Sequence, residues 1–228
     1  MDDLEQQKLE ALAEFAAGAG HEVNNPLAII SGRAQLLLRE IELPEHRRQL
    51  GVIIAQVKRA YEMIADIRFF ARPPQPEPVM FNLCDELKTL VREQTPLMSE
   101  SGVAFYSELD AVADTMIESD PVLFHVVVGV LCNNAREAVR LTGGNVWLCL
   151  RREGDVWAIS VRDDGPGVSE ETRPLLFDPY YSGREAGRGL GFGLPKAWRI
   201  MQLLEGTIRY EQPAGQPGAL FVLTLPAH

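Results

Sequence analysis

The run Gly18-Ala19-Gly20-His21-Glu22-Val23-Asn24-Asn25-Pro26-Leu27 brings together an imidazole, an adjacent carboxylate, an amide one helical turn on, and a proline. A neutral imidazole can attack an electrophilic phosphorus, and a neighbouring carboxylate can accept the proton that must leave the other ring nitrogen. Asn25 follows His21 by four residues, so on a helix the two share a side, where the amide can hydrogen-bond a water or a phosphoryl oxygen. Phosphoryl chemistry at a histidine is what these residue types permit.

Three further clusters lie downstream. In Asn133-Asn134-Ala135-Arg136-Glu137-Ala138, an amide oxygen facing a pocket can coordinate a hard cation such as Mg²⁺. In Asp163-Asp164-Gly165-Pro166-Gly167, glycines let the backbone approach a flat ligand while a carboxylate accepts from an exocyclic amine. Gly187-Arg188-Gly189-Leu190-Gly191-Phe192-Gly193-Leu194 runs into a helical pattern, so free amides and the helix dipole converge on a site suited to phosphates. Taken singly, a glycine-rich stretch of this kind also fits an ordinary flexible loop.

The elements that must position these groups can be read from periodicity. Leu9, Leu12, Ala16, Ala19, Val23, Leu27, Ile30, Ala34, Leu37 and Ile41 form a helical stripe with one irregular step near Pro26, where a bend or local unwinding is expected. Leu50, Ile53, Val57, Ala60, Ile64 and Ile67 form a second stripe, and Leu43-Pro44-Glu45 supplies the turn. Residues 3–70 therefore read as an antiparallel helical hairpin, with His21 about 200° from the seam. Two helices make a thin core, so pairing of two copies into a four-helix bundle is expected.

Four prolines between Pro73 and Pro78 mark a linker, dividing the chain into residues 1–72, a 73–78 connector and residues 79–228. The second part mixes helices and strands. A helix over 83–99 is capped by Asn82, strands follow at 103–109 and 115–119, and Asp120-Pro121 opens a helix to about residue 141. A hairpin joins 145–152 to 155–162 at Glu153-Gly154, then come a helix from about 191 to 204 and strands near 206–211 and 219–225. The fold class is α+β: a helical hairpin followed by an α/β sandwich with one sheet covered on one face.

Composition sets limits on partners. The 228 residues hold 22 basic and 32 acidic side chains, net −10, which opposes nonspecific attraction to nucleic acid or anionic membrane. Residues 1–72 carry 9 basic and 11 acidic groups, whereas residues 73–228 carry 13 and 21. A triphosphate bound by the second part would therefore depend on Mg²⁺, loop amides and placed cations such as Arg184 or Arg188. Cys84, Cys132 and Cys149 lack metal or disulfide spacing, and the longest apolar run, 122–132, is short for a membrane span. A soluble, cytoplasmic chain without membrane insertion is expected.

The run HEVNNPL resembles the H box of two-component sensor histidine kinases, and the surrounding helices resemble their dimerisation and phosphoacceptor module. The later clusters, in order, resemble the N box and the two glycine boxes of the histidine kinase ATP-binding domain, in the superfamily of gyrase, Hsp90 and MutL. Phe177-Asp178-Pro179-Tyr180-Tyr181 resembles the F box of the nucleotide lid. The resemblance covers residues 10–225.

It implies that His21 is autophosphorylated, that Glu22 is the general base and that Asn25 serves dephosphorylation of a response regulator. It further implies that Asn134 binds Mg²⁺, that Asp163 contacts the adenine amine, and that Gly165 and Gly167 shape the adenine pocket. Phe177 belongs to the lid, while Gly187, Gly189, Gly191, Gly193 and Leu194 surround the ATP phosphates. Arg184 stands where the F box usually ends in lysine, either reaching a phosphate or remaining a solvated surface residue.

One position departs from the family pattern: four residues before Asn134, where a second asparagine is usual, stands Val130. Related ATPases that hydrolyse ATP with water carry a glutamate there, so a free-standing ATPase is disfavoured. The expected function is a kinase core that moves a phosphoryl group from Mg-ATP to His21 and then to an aspartate of a response regulator. The alternative is a kinase-weak or phosphatase-dominant scaffold. Two modules fill all 228 residues, so input is expected from a partner or a longer parent protein.

Overall fold

A computed structural model describes residues 3–109, 115–141, 143–178, 191–213 and 215–227. Near the N-terminus, side-chain surroundings are described for Glu14, Gly18, Gly20 and from Glu22 onward. The chain forms two compact units, one built on the first two helices and the other on the elements after Gln75.

In the first unit, α1 (Asp3–Glu40) and α2 (Pro44–Ala71) pack as the expected antiparallel hairpin. Pro44 opens α2 at a position whose amide needs no helical partner. The Arg47 guanidinium donates to the carbonyls of Leu38 and Ile41 at 2.6 and 2.9 Å, satisfying acceptors that the end of α1 leaves open. α1 runs without interruption through Pro26, so the expected unwinding, given as the alternative to a bend, does not occur there. The stripe is also only partly covered. Leu50, Val57 and Ala34 are buried, whereas Val23, Ile30, Leu37 and Ile53 are more than two-fifths exposed. A pair of helices has one shared face, and the rest of a wide stripe must look elsewhere.

The second unit opens with β1 (Val79–Asn82), which follows the linker directly and was not expected. Its four residues pair antiparallel with β3 (Met116–Ser119) as a separate small sheet, so the unit holds two sheets where one was foreseen. Between them come α3 (Leu83–Glu100) and β2 (Ala104–Glu108). Asn82 caps α3 by accepting the Asp85 N–H at 3.0 Å, as its type predicts. Asp120 caps α4 (Pro121–Val139): its Oδ1 accepts from Val122 and Leu123, while Oδ2 accepts from the Glu77 N–H. His125 on α4 ties the helix to α3, with Nδ1 2.7 Å from Glu86 and Nε2 2.8 Å from Glu93.

The main sheet has the order β2-β4-β5-β7-β6, with β4 at Asn145–Glu153, β5 at Val156–Asp163, β6 at Thr207–Glu211 and β7 at Leu220–Pro226. Only β2 and β4 run parallel; the other pairs are antiparallel. The β4–β5 turn comprises Gly154 and Asp155, one residue later than expected, because Glu153 still pairs with Val156. On one face the register aligns Leu150, Ile159, Leu223 and Ile208, all buried, and α4 and α5 (Gly193–Leu203) supply the opposing layer. On the other face Tyr106 stacks on Trp147 at 5.9 Å, and the Arg162 guanidinium lies 4.6 Å over the indole.

α4 is the only described helix long and apolar enough by composition to cross a membrane. Eight of its residues, from Leu123 to Val139, are buried inside this unit, as in the core helix of a packed domain.

Candidate functional site

The site in the second unit is built on one side of α4. Val130, Asn134 and Ala138 follow one another at four-residue steps, so they lie in a row along the helix. At one end of the row, a Cβ placed on Gly193 would sit 3.5 Å from the Val130 side chain. At the other end, a Cβ on Gly165 would sit 3.1 Å from the Ala138 methyl. Asn134 is half-buried between them, and nothing among the described residues hydrogen-bonds to its side chain. The helix thus brings the start of α5 and the loop after β5 to either side of the amide.

Asp163 ends β5 and is 3% exposed. Its Oδ1 accepts from the Gly165 N–H at 2.9 Å and from the Ala219 N–H at 3.4 Å. Both bonds fall on Oδ1, leaving Oδ2 to accept from a ligand. Burial pushes this carboxyl up to about 6; the two backbone N–H groups pull it back, and the neighbouring Asp164 charge adds to the rise.

Two contacts hold the loop in place that the motifs alone did not reveal. Asp164 accepts from the Asn145 backbone N–H at 2.7 Å and from its side-chain amide at 2.6 Å, tying the end of β5 to the start of β4. Gly218, at φ +107, packs on the other side, where any Cβ would collide with the Asp163 carbonyl. Only glycine adopts this conformation readily and leaves that space. The sequence cue was slight: Gly218 stands in a Gly-Gln-Pro-Gly run that reads as an ordinary turn before a strand.

Other expected site residues are placed as follows. Gly167 lies in the loop after Asp163, and Phe177 is half-buried just past a short 3₁₀ turn at Arg173–Leu175. Gly191 has φ +73, Gly193 is the first residue of α5, and Leu194 follows it, half-buried. Arg184, Gly187, Arg188, Gly189 and the aromatics Tyr180 and Tyr181 lie outside the described residues. In the first unit His21 stands on α1 five residues before Pro26; the expected outward direction of its side chain likewise falls outside what is described. Glu22 and Asn25 are exposed on the same helix. Among the described residues no three histidine, cysteine or acidic side chains form a metal cluster.

Comparison with known proteins places two families along the chain. Residues 11–76 match the His Kinase A (phospho-acceptor) domain, and residues 119–228 match the histidine kinase-, DNA gyrase B- and HSP90-like ATPase domain. The signal transduction histidine-protein kinase AtoS of Escherichia coli is 32% identical over 222 residues, covering 96% of this chain and 36% of that protein. The sensor protein kinase PilS of Pseudomonas aeruginosa is 35% identical over 197 residues, covering 84% of this chain and 37% of that protein. The chain therefore spans only a part of the curated relatives it matches.

Among solved structures, full-length ShkA in complex with AMPPNP aligns with TM-score 0.75 at 23% identity, over 93% of this chain and 45% of that one. The histidine kinase ThkA in complex with the response regulator protein TrrA aligns with TM-score 0.68 at 22% identity, over 97% and 64%. These likenesses show the shared fold. With both domain models matched in order along one chain, the protein belongs to the histidine kinases, as a phosphoacceptor domain followed by a histidine kinase-type ATPase domain.

Proposed function

We propose that this chain is the core of a sensor histidine kinase: the second unit binds Mg-ATP, and its γ-phosphoryl group passes to His21. The single observation that carries the reading is the α4 row, which brings the Asp163 loop and the start of α5 to either side of Asn134. Asp163 Oδ2 accepts from the adenine amine, and Gly165 and Gly167 let the backbone lie against the base. Gly187, Gly189, Gly191 and Gly193, with Leu194, surround the phosphates, Arg184 reaches one of them, and Phe177 belongs to the lid.

The donor set fits Mg²⁺ modestly. Asn134 would hold it through its amide oxygen, with water and phosphate oxygens completing the shell, as this ion prefers. When bound, Mg²⁺ neutralises charge on the phosphates. At the acceptor, Glu22 takes the proton from the imidazole as the His21 nitrogen attacks in line, and Asn25 orients the water that later dephosphorylates a partner. The phosphoryl group then goes to an aspartate of a response regulator.

The exposed Val23, Ile30, Leu37 and Ile53 support a homodimer through the helical unit, completing a four-helix bundle. Residues 1–72 serve as the dimerisation and phosphoacceptor domain, residues 73–78 as linker and residues 79–228 as the catalytic domain, acting in the cytoplasm.

Incubation with radiolabelled ATP and Mg²⁺ should give an acid-labile label on the parent and none on His21→Gln. A label that persists in the variant sinks the assignment.

Val130 favours a second reading. Its apolar side chain faces Gly193, where a second amide would help order the metal and its waters. A chain that binds ATP tightly yet acquires no label would be the kinase-weak, phosphatase-dominant scaffold.

A further inference from the structure

We infer that Tyr61 is a positioning residue for phosphoryl transfer to His21, acting through the backbone of α1; the inference rests on His21 being the phosphoacceptor. The two helices touch at two points that bracket that residue. At the first, a Cβ on Gly20 would stand 3.3 Å from Ile64 Cγ2. At the second, one turn further along α1, the Tyr61 hydroxyl donates to the Asn24 carbonyl at 2.9 Å. Tyr61 and Ile64 are three residues apart and share a face of α2. The backbone from Gly20 to Asn24 is therefore held against α2 at both ends, with His21 between.

That stretch needs an outside hold. Pro26 has no N–H, so the Glu22 carbonyl loses its regular helical donor, and the proline ring crowds the same turn. The helix between His21 and Pro26 has one internal bond fewer than an ordinary helix. The Tyr61 hydroxyl bonds the Asn24 carbonyl, two residues on from the Glu22 carbonyl that Pro26 leaves without its helical donor, and so ties this weakened turn to α2 from outside. In-line attack tolerates little displacement of the nucleophile, and a misplacement near 1 Å can cost about a hundredfold in rate. A single hydroxyl that limits movement of this turn therefore affects the rate of transfer and leaves nucleotide affinity, which belongs to the other unit, alone.

The test uses the full chain and measures initial rates of His21 labelling against ATP concentration for the parent, Tyr61→Phe, and a variant carrying p-aminophenylalanine at position 61. Tyr61→Phe should lower kcat about tenfold, leave KM for ATP within about twofold, and keep the parental helical circular dichroism. The amine restores a donor at the same place and should recover most of the lost rate, which a generally loosened fold would not do. A parental rate in Tyr61→Phe, a loss carried by KM, or a failure of the amine to rescue would overturn the inference. An unlabelled parent would instead overturn the proposed function, so the two failures are separable.

Discussion

The Gly165 N–H donates to Asp163 Oδ1 at 2.9 Å, so the residue that ends β5 closes a ring with the loop that follows it. The ring fixes the carboxylate by using one oxygen and leaves the other for a ligand. Because the group is buried, its protonation near pH 6 decides whether that oxygen can accept. ATP affinity should accordingly fall as pH is lowered through about 6, and Asp163→Asn should bind weakly with no such dependence. Calorimetric titrations between pH 5 and pH 8 would show it; a pH-independent parent would contradict it.

The same carboxyl affects stability with the opposite sense. Its folded value of about 6 lies above the unfolded 3.8, so its favourable contribution is complete below the unfolded value and is lost as pH rises through about 6. The difference amounts to about 3 kcal/mol at most. Asp163→Asn should thus raise the melting temperature relative to the parent at pH 8 and give little or no gain at pH 4. Thermal melts at both values check the sign.

Gly218→Ala should be severe. The position has φ +107 and no room for a Cβ against the Asp163 backbone, so the loop must move. A loss of more than about 2 kcal/mol of stability is expected, with ATP affinity falling alongside. Denaturant unfolding of the variant measures the first, and a variant as stable as the parent would refute the packing.

Asp164→Ala removes the acceptor for both Asn145 donors. Hydrogen bonds to a charged group contribute about 1.5–3 kcal/mol each when kept, and part of that should appear as lost stability. KM for ATP should rise several-fold because the Asp163 loop is no longer tied to β4. Asn145→Ala, which keeps the backbone donor, should show a smaller effect in the same direction.

Val130→Asn should strengthen Mg²⁺-dependent ATP binding and speed autophosphorylation, since it puts a second amide one turn from Asn134. Labelling rates at limiting Mg²⁺ would reveal the gain. No gain would mean that the methyls facing Gly193 are not what limits this site.

Much of this was legible in the sequence because local chemistry dictated it. Asn82 and Asp120 are caps by residue type, and both act as caps in the fold. Pro44 opens a helix, and each strand of the main sheet lies within about one residue of a segment expected to be extended. β1 escaped because four residues beside a proline run carry too short a period, and it forms only by pairing with β3 some 35 residues later. The hairpin stripes were expected to exceed what two helices can cover, and Ile53 and Leu37 are exposed as that expectation requires. At the candidate site, Asn134, Asp163 and Gly165 could be singled out by residue type and spacing. Gly218, Ala219 and Asn145 could not, because they act through backbone atoms brought in by tertiary folding.

The row Val130-Asn134-Ala138 also sets a length. Eight helical residues rise about 12 Å, so α4 serves as a ruler between the start of α5 and the Asp163 loop. An insertion or deletion of one residue inside that span would turn one end of the row by about 100° relative to the other. Length variation among related chains should therefore collect in the segments flanking α4 and be absent between Val130 and Ala138.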